Sequence, residues 1–522
     1  MNGTTSAATG PAGHGERIAL VPLDERPACV TLPALVAAVA GVEVDTPPAA
    51  LLPRLRSPGD PRGLGRWLED TARSAAAAVV SLETLGYGSL IASRTVPAAV
   101  ADVVARWTPL RTLTAAGVPV HAVCLVTRTP DSADAMEEPE YWDPYGPALH
   151  RLSAALHRDG NDPAADSLPA DVRADFLTRR LRNHTLNLAA LELAATGGVR
   201  TLVVGADDTA PHAMATAELG WLEKWAGWLR LDGAVSVRPG ADEACTTLVA
   251  RTVGELTGGP PPRVVVECAE PGGLDRIAPY ENVTVARTAA RQVQACGGTV
   301  VAPGEPCDLH LLVHPPDGSG ADWAVAPPAD RPAPAGDRAA HLAAYAHRLV
   351  QDGEAVAVAD CAQPNGADPL LVKALAEAGI ADRLAGFAGW NTAGNTLGTV
   401  AAHALTALAA RRAGRFDAAA HHRLLLHRYL EDWGYMTRIR TAARAALGSN
   451  PTRHDSVPDD HPVLAAIEKG LAACRTELGG FDGLDVVPGS VKLPWRRTFE
   501  ADFEIAATAS APRSDDDREA AC

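Results

Sequence analysis

Residues 199–212 read VRTLVVGADDTAPH. The stretch from Leu202 to Ala206 is apolar without alternation, then the chain turns abruptly to Asp207, Asp208 and His212. An Ala/Leu-rich segment with helical spacing follows over residues 213–229. A strand with one wet face alternates apolar and polar residues. A strand that is apolar throughout is covered on both faces, as a parallel strand between helical layers is. The same unit recurs in RIALVPLDERP (17–27), GVEVDTPP (41–48), AAAVVSLETLGYG (76–88) and VPVHAVCLVTRTP (118–130). It returns in RVVVECAEP (263–271), LHLLVHPP (309–316), AVAVADCAQ (355–363) and LAGFAGW (384–390). Helices are expected over residues 30–40, 89–107 and 396–410.

This rhythm predicts an α/β protein with two Rossmann-like parallel-sheet lobes, a cleft between them and a helical C-terminal region. One elaborated (β/α) barrel is the alternative, and unequal spacing with long inserts favours two lobes. The turn-forming run GGPPPR, residues 258–263, marks the boundary. The first α/β domain covers 17–258 with a helical insert at 131–198, and the second covers 263–412. Residues 413–506 form the helical part packing on the cleft, with helices expected at 421–447 and 463–478. Residues 1–16 and 507–522 read as a disordered leader and tail, and 315–338 as an exposed loop. No internal repeat of fixed period appears.

The chain has 522 residues and is 47% hydrophobic and 21% charged, enough apolar content for a sizeable core. A net charge of −16 without a Lys/Arg run argues against a nucleic-acid partner or an anionic membrane. No apolar run approaches the roughly 18 residues of a membrane helix. Nine scattered cysteines, with no C-x-x-C pair, suit reduced thiols and a cytoplasmic location.

Functional side chains of parallel α/β folds gather at the carboxyl ends of strands. Here those ends carry Asp24 and Arg26, Glu83 and Tyr87, Arg128, Asp207 and Asp208, then Asp360, Asn365 and Asp368, and finally Trp390, Asn391 and Asn395. Asp and Asn are also ordinary helix caps, so Asp208 could cap the helix after it and Asn395 the one at 396–410. One cap needs one short polar residue, however, and these loops carry two or three. The helix around 176–191 adds a stripe of Arg180, Asn183, His184 and Asn187 at i, i+3, i+4 and i+7, unlike the Glu/Lys of a solvated face. Arg428 and Asp432 read as a surface helix pair, and the adjacent His421 and His422 as surface residues. No P-loop, H-E-x-x-H or G-x-S-x-G motif occurs, and LGYG lacks the third glycine of a dinucleotide fingerprint.

The blocks VPLDERP, LGYGSLIASR, GADDTAPH, PYENVTV, NGAD, AGWNTAGNTLGT and LPWRRTFE, in this order, resemble the bacterial domain of unknown function family 4127. The resemblance runs from about Arg17 to Ile505. It departs at Glu83, where Asp is commoner. It implies a site at the matching polar positions and no particular reaction.

Paired carboxylates suit acid–base or nucleophilic work, amides and Asp bind hydroxyls, and an aromatic face packs on a sugar ring. The expected activity is hydrolysis or transfer at a glycosidic bond of a small-molecule carbohydrate. Asp207 or Asp208 would be nucleophile or base and Glu83 or Asp24 the acid. Arg26, Tyr87, Arg128, His184, Asp360, Asn365, Asp368, Trp390, Asn391 and Asn395 would bind the sugar. That reading requires no cofactor. One alternative is a Mg²⁺- or Mn²⁺-dependent hydrolase or phosphoryl-transfer enzyme, the ion held by Asp24, Asp207, Asp208 and Asp360. The other is a non-catalytic sugar-binding protein.

Overall fold

A computed structural model describes residues 16–158, 167–324 and 333–508. All but the innermost residues of the expected leader and tail lie outside them. The first six strands are β1 (Arg17–Val21), β2 (Glu43–Asp45), β3 (Ala77–Ser81), β4 (Val120–Val126), β5 (Thr201–Ala206) and β6 (Val235–Pro239). They form one sheet in the order β2-β1-β3-β4-β5-β6. The next five are β7 (Arg263–Glu267), β8 (Thr299–Val301), β9 (Leu309–His314), β10 (Val356–Asp360) and β11 (Gly386–Ala388). Their order is β8-β7-β9-β10-β11. Every pairing in both sheets is parallel.

The two orders are one pattern used twice. In each sheet the second strand lies outside the first and the third lies on the first strand's other side. Strand order therefore reverses between β1 and β3 and again between β7 and β9, and crevices of doubly wound sheets open at such points. Neither sheet closes, so the fold is two open α/β lobes and not a barrel.

Burial explains the unalternating strands. Every residue of β3, β4, β5 and β10 is buried. Val80, Val126 and Val204 pack into the core on one face of the first sheet, and Val79, Val123 and Val203 into the core on the other. Each such fully buried side chain contributes about 1.5–3 kcal/mol. The lobes meet where the helix Ala244–Thr257 packs on the helix Ala393–Arg412. Two glycines permit this approach. A Cβ on Gly398 would lie 2.2 Å from Glu243 Cγ and 2.6 Å from Gln292 Oε1, and one on Gly394 would lie 3.1 Å from the Gly240 backbone.

Several local expectations need correction. The residues after β3 include LGYG. They form a helix, Leu82–Tyr87, capped by Ser81 Oγ accepting from Thr84 N at 3.2 Å and ending at Gly88 with φ +99°. Residues 89–107 split into Leu90–Thr95 and Val100–Arg106 around Pro97. Residues 421–447 are not one α-helix: an α-helix, Ala418–Arg428, runs into a π-helix, Tyr429–Ile439, and then an α-helix, Arg440–Leu447. The edge strands β6 and β8 had no sequence counterpart. A last antiparallel pair, β12 (Leu484–Val486) and β13 (Ile505–Ala507), lies in the C-terminal part. No helix among the described residues is long and apolar enough to cross a membrane.

A candidate active site between the two sheets

The loop after β1 folds on itself because Asp24 Oδ1 accepts from the Arg26 amide at 2.9 Å. Arg26 then returns Nε and Nη2 to Asp24 Oδ2 at 3.0 and 2.7 Å. The other edge of the guanidinium reaches Asp242, in the loop after β6, with Nη1 donating to Oδ2 at 3.3 Å. The second lobe holds Asp242 as well: Asn391 Nδ2 donates to Oδ2 at 3.3 Å, and Asn395 Oδ1 accepts from the Asp242 amide at 3.2 Å. One buried guanidinium thus serves two buried carboxylates. Burial pushes the Asp242 carboxyl up to about 7; Asp24 and Asp207 push the same way, and Arg26 opposes them.

At the end of β5, Asp207 accepts from Arg94, and Asp208 Oδ2 accepts from Arg128 Nη1 at 2.9 Å. Arg128 is fixed in turn by Glu138 at 2.8 Å and Glu137 at 3.2 Å, both from the insert after β4. Arg497, from the C-terminal part, donates to Glu137 at 2.6 Å. Burial raises Asp208 to about 6, Asp207 adds to this, and Arg128 opposes it. Glu137 goes the other way: burial alone would raise it, but Arg128, Arg497 and Arg94 hold it well below the usual carboxylate range.

These groups surround a cavity of about 200 Å³. The first lobe presents Arg26, Arg128, Asp207, Asp208 and Asp242 to it. The second presents Tyr280, Asn365 and Asn391, and the C-terminal part presents Arg497 and Phe499. Four lining residues have left-handed backbone without being glycine: Asp208 (φ 39°), Tyr280 (64°), Asn365 (63°) and Asn391 (59°). Each costs of order 1 kcal/mol or more, a cost concentrated at sites that need a particular side-chain direction. Trp495 (φ 54°) stands just outside, its ring 4.6 Å from Arg26 Cζ and 4.4 Å from Arg497 Cζ.

The remaining sequence-selected residues lie around this cavity or away from it. Asp24 is buried under Arg26 and does not line the cavity. Glu83 and Tyr87 line a separate inner cavity of about 20 Å³ with Asn183 and Asn187. There Glu83 Oε1 accepts from the Leu125 amide at 2.6 Å, and burial raises its carboxyl to about 7. The stripe on the helix Ala170–Ala195 fastens it to β4 and to the loop after it. Asn187 Nδ2 donates to Leu125 O at 3.0 Å, Asn183 Nδ2 to Thr127 Oγ1 at 2.6 Å, and Arg180 to Thr129 at 3.1 Å. His184 is half-buried on this helix and lines neither cavity.

Asp360 is turned inward, accepting from the amides of Asp368 at 2.6 Å and Ala362 at 3.1 Å. Asp368 caps the helix Pro369–Glu377 through Leu370 N at 2.9 Å and meets His314 Nε2 at 3.2 Å. Trp390 is no platform for a sugar. The residue is 1% exposed, in the apolar core with Phe387, Tyr429 and Trp433, and the preceding Gly389 amide donates to Asp432 Oδ2 at 2.8 Å. Asn395 holds the Asp242 amide from behind. His421 is not a surface residue: it is buried, with Nδ1 2.9 Å from His403 Nε2. Arg428 and Asp432 are also buried, 3.5 Å apart.

Sequence reasoning missed Asp242, Glu137, Tyr280, Arg497 and Phe499. The signal for Asp242 was GADEA following VSVRP, where Val235 and Val237 alternate with Ser236 and Arg238 in an edge strand. The donor set does not suit the metal reading. Asp207 and Asp208 are taken by arginines and Asp360 by backbone amides. The one metal-type cluster among the described residues, Asp24, Cys29 and Asp242, has the Arg26 guanidinium bonded to both its carboxylates. A search of curated proteins finds no match. A family model described as "Protein of unknown function (DUF4127)" matches residues 18–504, almost the whole chain, and the protein therefore belongs to that family.

Proposed function

We propose that the protein hydrolyses or transfers a glycosidic bond of a small carbohydrate held between its lobes. The observation that carries this reading is the pairing, in one small polar cavity, of Asp242, raised to about 7, with the Asp207–Asp208 pair at the end of β5. A carboxyl that still holds its proton near neutrality can protonate a leaving oxygen. Asp242 therefore takes the acid role that sequence reading gave to Glu83 or Asp24. Asp207, aimed by Arg94 and Arg128, is the base or nucleophile, and Asp208 adds negative charge beside it. Asn365 and Asn391 offer amides to hydroxyl groups, and the Phe499 ring offers an apolar face. A cavity of about 200 Å³ fits a substrate of monosaccharide size better than a polymer. Eight described cysteines are all free, which suits a cytoplasmic location.

The test is turnover of a panel of chromogenic glycosides by the purified chain, with Asp242→Asn and Asp207→Asn beside it. Turnover lost in both variants, with folding retained, supports the proposal. Inertness of the wild type across the panel would remove it, and tight sugar binding without turnover would mark a binding protein instead.

A further inference from the structure

Outside the residues that line the cleft, three side chains stand together on the second sheet. Glu267 is the last residue of β7, His310 the second of β9, and Cys307 lies just before β9. Cys307 Sγ is 3.4 Å from His310 Nε2, and His310 Nδ1 is 2.7 Å from Glu267 Oε2. Tyr345, from the helix Ala333–Gln351, donates its hydroxyl to Glu267 Oε1 at 2.9 Å. A carboxylate can only accept, so the imidazole proton sits on Nδ1 and the Nε2 lone pair faces the thiol. The imidazole stands between sulfur and carboxylate, so the three form a relay and not a cage for an ion.

Access agrees with this chemistry. Cys307 is half-buried at the end of the exposed residues 302–306. Six of the other described cysteines are buried, and Cys268, the other half-buried one, hydrogen-bonds the backbone of Glu270 and has no histidine bonded to it among the described residues. Burial raises the Cys307 thiol, Glu354, Glu267 and Asp308 push the same way, and the Leu309 amide opposes them. The resting group is therefore a thiol that needs a base at the moment it attacks.

We propose that Cys307 is an activated thiol that exchanges with low-molecular-weight disulfides, with His310 as its general base and Glu267 as a positioning residue. Cys307 Sγ forms a bond to the nearer sulfur of the disulfide as the disulfide's own S–S bond breaks. The thiol proton passes to His310 Nε2 and from there to the departing thiolate. Cys307 is oxidised to a mixed disulfide, and the reagent is reduced by release of one thiol.

The test uses the full chain carrying Cys522→Ser and the aromatic disulfide dithiobis(nitrobenzoate), with release of the coloured thiol followed in time and the labelled peptide identified by mass. One thiol per chain, Cys307, is expected to react at least about tenfold faster than Cys268 at neutral pH. His310→Gln slows it about tenfold and leaves Cys268 unchanged. Glu267→Gln slows it less and shifts its pH–rate profile. Labelling of Cys307 no faster than Cys268 in the unmutated triad overturns the proposal, whether or not the variants fold. So does an unchanged fast phase in His310→Gln.

Discussion

The two sheets share a strand order but use their strand ends differently. In the first, the carboxylates after β5 and β6 point into the cavity and meet arginines. In the second, Asp360 and Asp368 at the end of β10 point inward and are satisfied by backbone amides and a helix start. The first lobe therefore carries charge whose balance shifts with protonation. In the second, burial also raises Asp360, to about 6, His314 opposing and Asp368 adding to it, and its bonds shape the loop presenting Asn365 and Asn391, whose backbones are joined at 2.8 Å. The same residue type at the carboxyl end of a parallel strand meets arginines in one lobe and is architectural in the other. What separates them is whether the main partner is an arginine of the same lobe or the chain's own backbone.

The sharpest way to break this comparison is Asp242→Asn. Losing a positioned acid should lower turnover by about 10²–10⁴-fold with little change in melting temperature, measured on whichever glycoside the wild type cleaves. A variant that melts much earlier instead would make Asp242 architectural too. Asp360→Ala should do the opposite. It strands two buried amides, at about 1–3 kcal/mol each, so the denaturant midpoint should fall while activity per folded molecule stays near wild type.

Acid should weaken the contact between the second lobe and the C-terminal part through the buried imidazoles His403 and His421. Burial first, then His422 and Arg411, lower His421 to about 4, and burial also holds its partner His403 well below the ordinary value. Unfolding frees these groups to bind protons near pH ~6.5, so their contribution is intact above that pH. It is lost as pH falls from there towards the folded value, about 2 kcal/mol for His421 by pH ~5. His421→Gln should flatten the decline between pH ~7 and ~5 in a urea-melt series. The smallest effect is expected at Trp495. Removing its two cation–π contacts in Trp495→Leu costs about 0.5–2 kcal/mol each, read as a several-fold rise in KM with kcat nearly unchanged. A collapse of kcat would show that Arg26 depends on Trp495 for its position.

Much of the frame was legible because long strands buried on both faces leave a clear trace. β1, β2, β3, β4, β5, β7, β9, β10 and β11 all stand where strand-like runs predicted them. The edge strands β6 and β8 did not, since neither VSVRP nor TVV is a long unbroken apolar run, and losing β6 meant losing Asp242. Polar strand ends were visible as a set, but their directions were not. Asp24, Asp207 and Asp360 look alike in sequence, and only the first-lobe loops meet arginines. Trp390 looked like a binding face because a Trp between Gly389 and Asn391 has no local reason to be buried. Its reason is the core built by residues after 413.

The chain's own order of residues determined which segments become strands or helices and which loops are acidic, because burial on one or both faces is written locally in periodicity. Only the folded molecule decided that Asp242 would share a guanidinium with Asp24. Arg26 and Asp242 are 216 residues apart, and a carboxyl's proton affinity depends on what surrounds it in space.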